Sequence, residues 1–245
     1  MDYGIKMDNQ AKKPIIFDTG PVISLTTNNL LWVLDSLKKQ YKGNFYITPT
    51  VKRELVDTPI QSKKFKFEAL QVMHCINKNV LGITNSERLR NTALKLAELA
   101  NQCFMAKGSW LQIVHYGEME ALAAAIMLDA SALVIDERTT RLLIENPGRL
   151  EGILANRLYT KISINRKNLH EFAQMAKGIR LLRSAELLVV AYEIGSLDRY
   201  ILNIPKPRKQ LLESILWGVK LHGCAISREE IDAVVGEELG KADSR

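Results

Sequence analysis

Short apolar runs alternate with amphipathic stretches through the first two thirds of the chain. That rhythm predicts a parallel β-sheet with helices on both faces. Residues 14–17 form a first apolar strand, and 30–39 place Leu30, Leu31, Val33, Leu34 and Leu37 at helical spacing. Gly43 and Asn44 break the chain before a second strand at 45–47. Thr48-Pro49 then offers an N-cap and a first-turn proline for a helix through Val51, Glu54 and Leu55. A helix is predicted over 65–76 and a short edge strand over 80–83. Ser86 is placed to cap a long helix through Leu89, Ala93, Leu96, Ala97 and Ala100. Gly117 precedes a helix over 118–128, and a buried strand at 132–135 follows.

Asn146-Pro147-Gly148 reads as a turn, and beyond it the rhythm changes. Strands are predicted at 162–164 and 179–182, and amphipathic helices at 185–195 and 209–221. Ser227 with Glu230 makes a capping box for a last helix. The chain therefore divides into a loose arm (1–13), an α/β core (14–146) and a mostly helical extension packed on that core (147–245).

Composition narrows the class. At 245 residues, with 47% hydrophobic and 25% charged positions, the chain can bury a sizeable core. No apolar run approaches the roughly 18 to 20 residues that span a bilayer. The first fourteen residues are polar and basic, without the apolar centre of a secretion signal, which places the protein in the cytoplasm. Cys75, Cys103 and Cys224 show no C-x-x-C or C-x-x-H spacing, so they read as buried thiols rather than zinc ligands. His74, His115, His170 and His222 are scattered and read as structural or exposed. A net charge of +7 and a pI near 9.2 favour a polyanionic partner.

The candidate chemistry lies in four acids. Asp18 ends the first apolar strand, and Asp136 follows Ala132-Leu133-Val134-Ile135. In a parallel α/β sheet ligands collect outside the carboxyl ends of the strands, and both residues stand there. Glu118 opens its helix, where the helix dipole favours negative charge. Glu54 lies at the edge of the buried face of its own helix. Glu120, two residues after Glu118, points about 200° away and is expected to face solvent. Carboxylates gathered in one pocket repel and resist desolvation, and a divalent cation relieves both penalties. Such a cation suggests attack on a phosphodiester.

Ile15-Ile16-Phe17-Asp18-Thr19, the stretch from Ile47 through Thr48-Pro49 to Glu54-Leu55, Gly117-Glu118-Met119-Glu120-Ala121 and Leu133-Val134-Ile135-Asp136-Glu137-Arg138 together resemble the PIN-domain nuclease family. The Gly-Glu-x-Glu-Ala and Asp-Glu-Arg motifs resemble a prokaryotic subgroup with a helical C-terminal tail. The likeness covers residues 14–141 and extends loosely to 185–195 and 221–231. It implies a three-layer α/β/α fold and endoribonuclease activity with Mg²⁺ or Mn²⁺, either as a toxin beside a small antitoxin protein or in RNA processing. It also implies a homodimer. Carried across, Asp18, Glu54, Glu118 and Asp136 are the catalytic, metal-binding acids, and Thr19, Arg138 and Thr139 stand where substrate would be contacted. Two departures leave open whether one or two metals are held. Val134 stands where the family often has Thr or Ser, and Arg138 and Thr139 stand near where it often has a further acid.

A non-catalytic module that binds RNA or a protein partner is the competing reading. Asp18-Thr19-Gly20 also matches the aspartic-protease triplet, but that chemistry needs two triplets on β-rich lobes. An aspartyl phosphatase would need a second Asp where Gly20 stands, and no phosphate-binding G-x-x-x-x-G-K-[S/T] loop is present.

Overall fold

The computed structural model describes residues 12–243, so most of the 1–13 arm lies outside the described residues. Its last two residues open β1 (Lys12–Phe17), which passes through Asp18 into α1 (Thr19–Thr27). Then come α2 (Val33–Tyr41), β2 (Gly43–Ile47) and α3 (Pro49–Lys52), which runs into a π-helical turn at Arg53–Asp57. Next are α4 (Lys66–Asn77), β3 (Gly82–Ile83), α5 (Glu87–Asn101), β4 (Phe104–Ala106) and β5 (Ser109–Trp110). The helix α6 (Tyr116–Met127) leads to β6 (Ala132–Val134), α7 (Arg138–Glu145) and α8 (Pro147–Leu158). The chain closes with β7 (Ile162–Ile164), α9 (Arg166–Met175), β8 (Leu181–Leu182), α10 (Ser184–Glu193), α11 (Pro207–Leu221) and α12 (Arg228–Asp243).

Five parallel strands form the central sheet in the order β3-β2-β1-β6-β8. Side chains alternate along β1, as the two-residue period of a strand requires. Ile15 and Phe17 enter one hydrophobic cluster with Phe45, Ile47 and residues of α1, α2, α10 and α11. Ile16 enters the other with residues of α5 and α6. Both faces of the sheet are covered, which gives the three-layer α/β/α architecture expected from the alternating pattern. Strand order reverses between β1 and β6: the chain lays β2 and β3 on one side of β1, then β6 and β8 on the other. A crevice opens at such a switch point, outside the carboxyl ends of the two strands. Ile16 pairs with Leu133 and Phe17 with Val134, so Asp18 and Asp136 leave the sheet at the same edge.

The extension is woven into the core. β8 pairs with β6 through Leu133–Leu181 and Val134–Leu182 and completes the sheet. Arg183, buried at the start of α10, bonds Glu186 Oε1 through Nε at 2.8 Å and both Glu230 and the Ala225 carbonyl through Nη1 at 2.9 Å. Those contacts pin α12 and the loop before it against the end of β8. Ser227 and Glu230 form the capping box their spacing implies, with hydrogen bonds of 2.7 and 3.1 Å.

Several local expectations need correction. Asn146-Pro147 is a helix start rather than a free turn: Asn146 Oδ1 accepts from the Arg149 amide at 3.0 Å and Pro147 fills the first turn of α8. The helix that Thr48 caps is α-helical only to Lys52. There it widens into the π turn, marked by the Thr58 amide bonding the Arg53 carbonyl at 2.9 Å. The strand at 162–164 forms but joins a separate antiparallel sheet, β5-β4-β7. Its hairpin turns on Lys107 and Gly108, both in the left-handed region (φ 50° and 81°), as a tight two-residue connection demands. The three cysteines are buried free thiols. Among the described residues no helix is long and apolar enough to cross a membrane.

Candidate active site

Asp18 takes the N-cap position of α1 and is buried, with the Gly20 amide a long 3.4 Å from its Oδ2. Glu118 lies in the first turn of α6. That helix is buried from Gly117 to Ala125, so Glu118 is shut in with it, and Thr140 Oγ1 donates to its carboxylate. Glu54 arrives from the π turn and stays exposed. Thr19 Oγ1 donates to its Oε2 at 2.6 Å. Gly117 makes room for it: a Cβ there would stand 3.2 Å from Glu54 Oε1 and 3.3 Å from Thr50 Cγ2.

Asp136 is held differently. Its Oδ1 accepts from the Ser184 amide at 2.7 Å, and its Oδ2 accepts from Ser24 Oγ and Ser184 Oγ, both at 2.8 Å. The Ala225 amide bonds its backbone carbonyl at 3.1 Å. One residue on, Glu137 caps α7 by accepting from the Thr140 amide at 2.6 Å.

These acids border one cavity of about 330 Å³ at the switch-point crevice. Asp18, Glu54, Glu118, Asp136 and Glu137 line it with His115, while Gly20, Gly117 and Gly223 bring backbone to its wall. Five carboxylates meet there, and among the described residues no lysine or arginine lines the cavity. Burial pushes the Asp18 carboxyl up to about 7; bonds from Thr19 and Gly20 oppose that, and the charges of Glu118 and Glu54 add to it. Burial likewise pushes Glu118 up to about 7 against its bond from Thr140, with Glu137 and Glu54 as repelling neighbours.

The donor set suits a hard, oxygen-loving cation. Among the described residues, no three His, Cys, Asp or Glu side chains stand close enough to grip a metal directly. Mg²⁺ does not need such a cage: it keeps several of its waters and is held by one or two carboxylates. Asp18 and Glu118 are the side chains that fit, with Glu54 within the same cavity. Asp136, its oxygens engaged by three hydrogen bonds, fits less well as a direct ligand.

Glu120, expected at solvent from helical geometry, lies in the interior instead. It is 5% exposed and accepts from the Thr50 amide at 2.9 Å and from the Tyr116 hydroxyl at 3.3 Å. An all-round buried helix has no wet face to receive it. Arg138 is exposed at the start of α7, and neither it nor Thr139 lines the cavity; Thr140, one step further, reaches Glu118. Arg141 pairs with Glu145 at 3.4 Å, the ordinary use of an i, i+4 pair. Ser24, Thr140, Ser184, Glu137 and His115 escaped the sequence reading.

A protein-family model described as a PIN domain matches residues 14–148. No curated protein and no solved structure matches the chain.

Proposed function

The chain belongs to the PIN-domain family, whose fold is of nuclease type, and from that premise we propose that it is a divalent-metal-dependent endoribonuclease. The observation that carries this reading is the cavity of five carboxylates without a lysine or arginine among them. Mutual repulsion and lost hydration make such a cluster costly unless a cation neutralises it. Asp18 and Glu118 would hold Mg²⁺ or Mn²⁺, Glu54 would complete the set, and Asp136 would reach the metal through water. A divalent ion in that place supplies Lewis acidity toward a phosphate oxygen and acidifies a bound water.

The protein's own residues supply position. Thr19 fixes Glu54 over the cavity, and Thr140 fixes Glu118. Ser24 and Ser184 hold Asp136, and Gly20 and Gly117 keep the backbone close to the site. The basic balance of the chain, +7, suits RNA as the polyanion. We keep both the toxin-type and the RNA-processing settings within the proposal. In the first, a small antitoxin protein is the partner. A homodimer would have an apolar face to cover at the exposed Phe65, Phe67 and Leu70.

One observation favours a second reading, a PIN module that binds without cutting: Asp136 already has three hydrogen-bond donors from the protein. Cleavage of mixed-sequence RNA oligonucleotides with Mn²⁺ decides between them. The wild type should cut, and Asp18→Asn and Glu118→Gln should not. Equal cleavage by all three rejects this site, and RNA binding without cleavage or metal uptake selects the binding module.

A further inference from the structure

A phosphodiester entering the carboxylate cavity brings more than one non-bridging oxygen, and a bound cation can take only part of that charge. The rest needs a hydrogen-bond donor, and the walls offer few. Five of the lining side chains are carboxylates, which only accept when ionised, and three lining residues are glycines. The Thr19 hydroxyl is committed to Glu54 Oε2 at 2.6 Å. Among the described residues this leaves His115 as the lining residue with a side-chain donor to spare. It is exposed, and among the described residues no hydrogen bond or ion pair engages its imidazole.

The chain fixes where that ring is offered. Asn101, the last residue of α5, accepts at Oδ1 from the Ile113 amide at 2.7 Å and from the Val114 amide at 3.0 Å. Its Nδ2 donates to the Val114 carbonyl at 3.2 Å. One side chain thus holds the two residues that lead into His115. On the other flank His115 is the N-cap of α6, and its carbonyl accepts from the Met119 amide at 3.3 Å. With the backbone tied on both sides, only the side-chain torsions remain to be ordered, and binding costs little freedom. An imidazole carries an N–H in either neutral tautomer and in the cation, so the donor is present whatever its protonation.

We propose that His115 is a substrate-binding residue whose ring N–H donates to a phosphate oxygen of the RNA held over the carboxylates. This rests on the endoribonuclease reading and names a contact that the acids themselves cannot make. A hydrogen bond of this kind, from a nitrogen donor to an ionised phosphate, belongs to the stronger class of such bonds.

Steady-state cleavage of a mixed-sequence single-stranded RNA by the full chain in Mn²⁺ tests the contact. His115→Ala and His115→Phe should each raise KM roughly 10- to 100-fold, the range for a hydrogen bond to a charged group, and leave kcat near wild type. Asparagine and glutamine carry an amide N–H close to where the ring has Nδ1 and Nε2. One of His115→Asn and His115→Gln should therefore recover most of the loss. The Mn²⁺ concentration giving half-maximal activity should match wild type in all four variants, and thermal unfolding should show them folded. Wild-type cleavage that needs Asp18, with KM unchanged in His115→Ala, overturns this contact and leaves the nuclease reading standing. Full activity in His115→Phe overturns it as well, because the ring would then serve to stack a base. A loss that neither amide recovers overturns the donor role, and a raised Mn²⁺ requirement does so by making His115 a metal ligand. A wild type that cuts no RNA removes the functional reading and the contact with it.

Discussion

The Thr19 hydroxyl lies 2.6 Å from Glu54 Oε2 and donates a hydrogen bond to that carboxylate. The bond joins the start of α1 to the π turn after α3, and among the described residues it is the one hydrogen bond that holds the Glu54 side chain. Glu54 is otherwise exposed, and a free glutamate at the surface samples many rotamers. Thr19→Val should therefore lower the proposed cleavage activity by roughly 10- to 100-fold, the usual effect of losing a group that orients a metal ligand, the role proposed for Glu54. Raising Mn²⁺ should recover part of the loss, and Thr19→Ser should retain most activity. Activity titrated against Mn²⁺ for the three proteins checks this.

The pH dependence of stability has a definite sign. Asp18 rises from 3.8 to about 7 on folding, and Glu118 from 4.5 to about 7. The folded state thus binds protons more tightly than the unfolded chain, and stability falls wherever it would have to release them. Metal-free protein should lose thermal stability as pH climbs from about 4 to about 7 and then level off as far as these two groups are concerned. Mn²⁺ should restore most above pH 7 and little near pH 5, since protons compete for the same oxygens. Melting temperature against pH, with and without Mn²⁺, measures both effects.

Asp18→Asn should raise the metal-free melting temperature above pH 7, because it removes a buried charge with no cation beside it. Asp136→Asn should instead lower stability. Its two oxygens accept three bonds, and an amide nitrogen placed there would face donors instead of meeting them as an acceptor. A cost of about 1.5–3 kcal/mol is expected, the scale of a hydrogen bond to a charged group. Urea unfolding of the two variants separates a carboxylate that waits for a cation from one that the protein has already satisfied.

Gly117→Ala probes the close approach of Glu54. The added Cβ would sit 3.2 Å from Glu54 Oε1 and 3.3 Å from Thr50 Cγ2. The Glu54 side chain can yield, so stability should change by less than about 1 kcal/mol, helped by the better helix propensity of alanine. Cleavage should fall by roughly tenfold as Glu54 leaves the cavity. Unfolding and cleavage assays on the same preparation distinguish this from a folding defect.

What the sequence disclosed depended on how local the cause was. β1 and β6 were visible because strands buried on both faces of a parallel sheet are apolar without interruption, and an acid after each is then conspicuous. The caps at Thr48 and Ser86 were visible because a cap is a contact between near neighbours, here 3.4 and 3.1 Å bonds three residues apart. β5, two residues long, leaves too little pattern to read, whereas β3 at 82–83 forms at the sheet edge within the strand expected over 80–83. Glu120 was misplaced because helical periodicity locates a wet side only when the helix has one. Ser24, Ser184 and Thr140 were invisible for another reason. Their bonds to Asp136 and Glu118 span 112, 48 and 22 positions, and nothing near a serine or threonine in sequence marks such a distant partner.

The Ser184 clasp on Asp136 bears on when this protein becomes competent during its own synthesis. A nascent chain exposed only as far as α7 contains all five acids, but Ser24 alone is available to Asp136, and the Gly223 edge of the cavity has yet to be made. Both arrive late, with the final helices locked down through Arg183 and Glu230. The unfinished polypeptide, still beside the ribosome and its messenger, lacks the last wall of the cavity proposed to cut RNA.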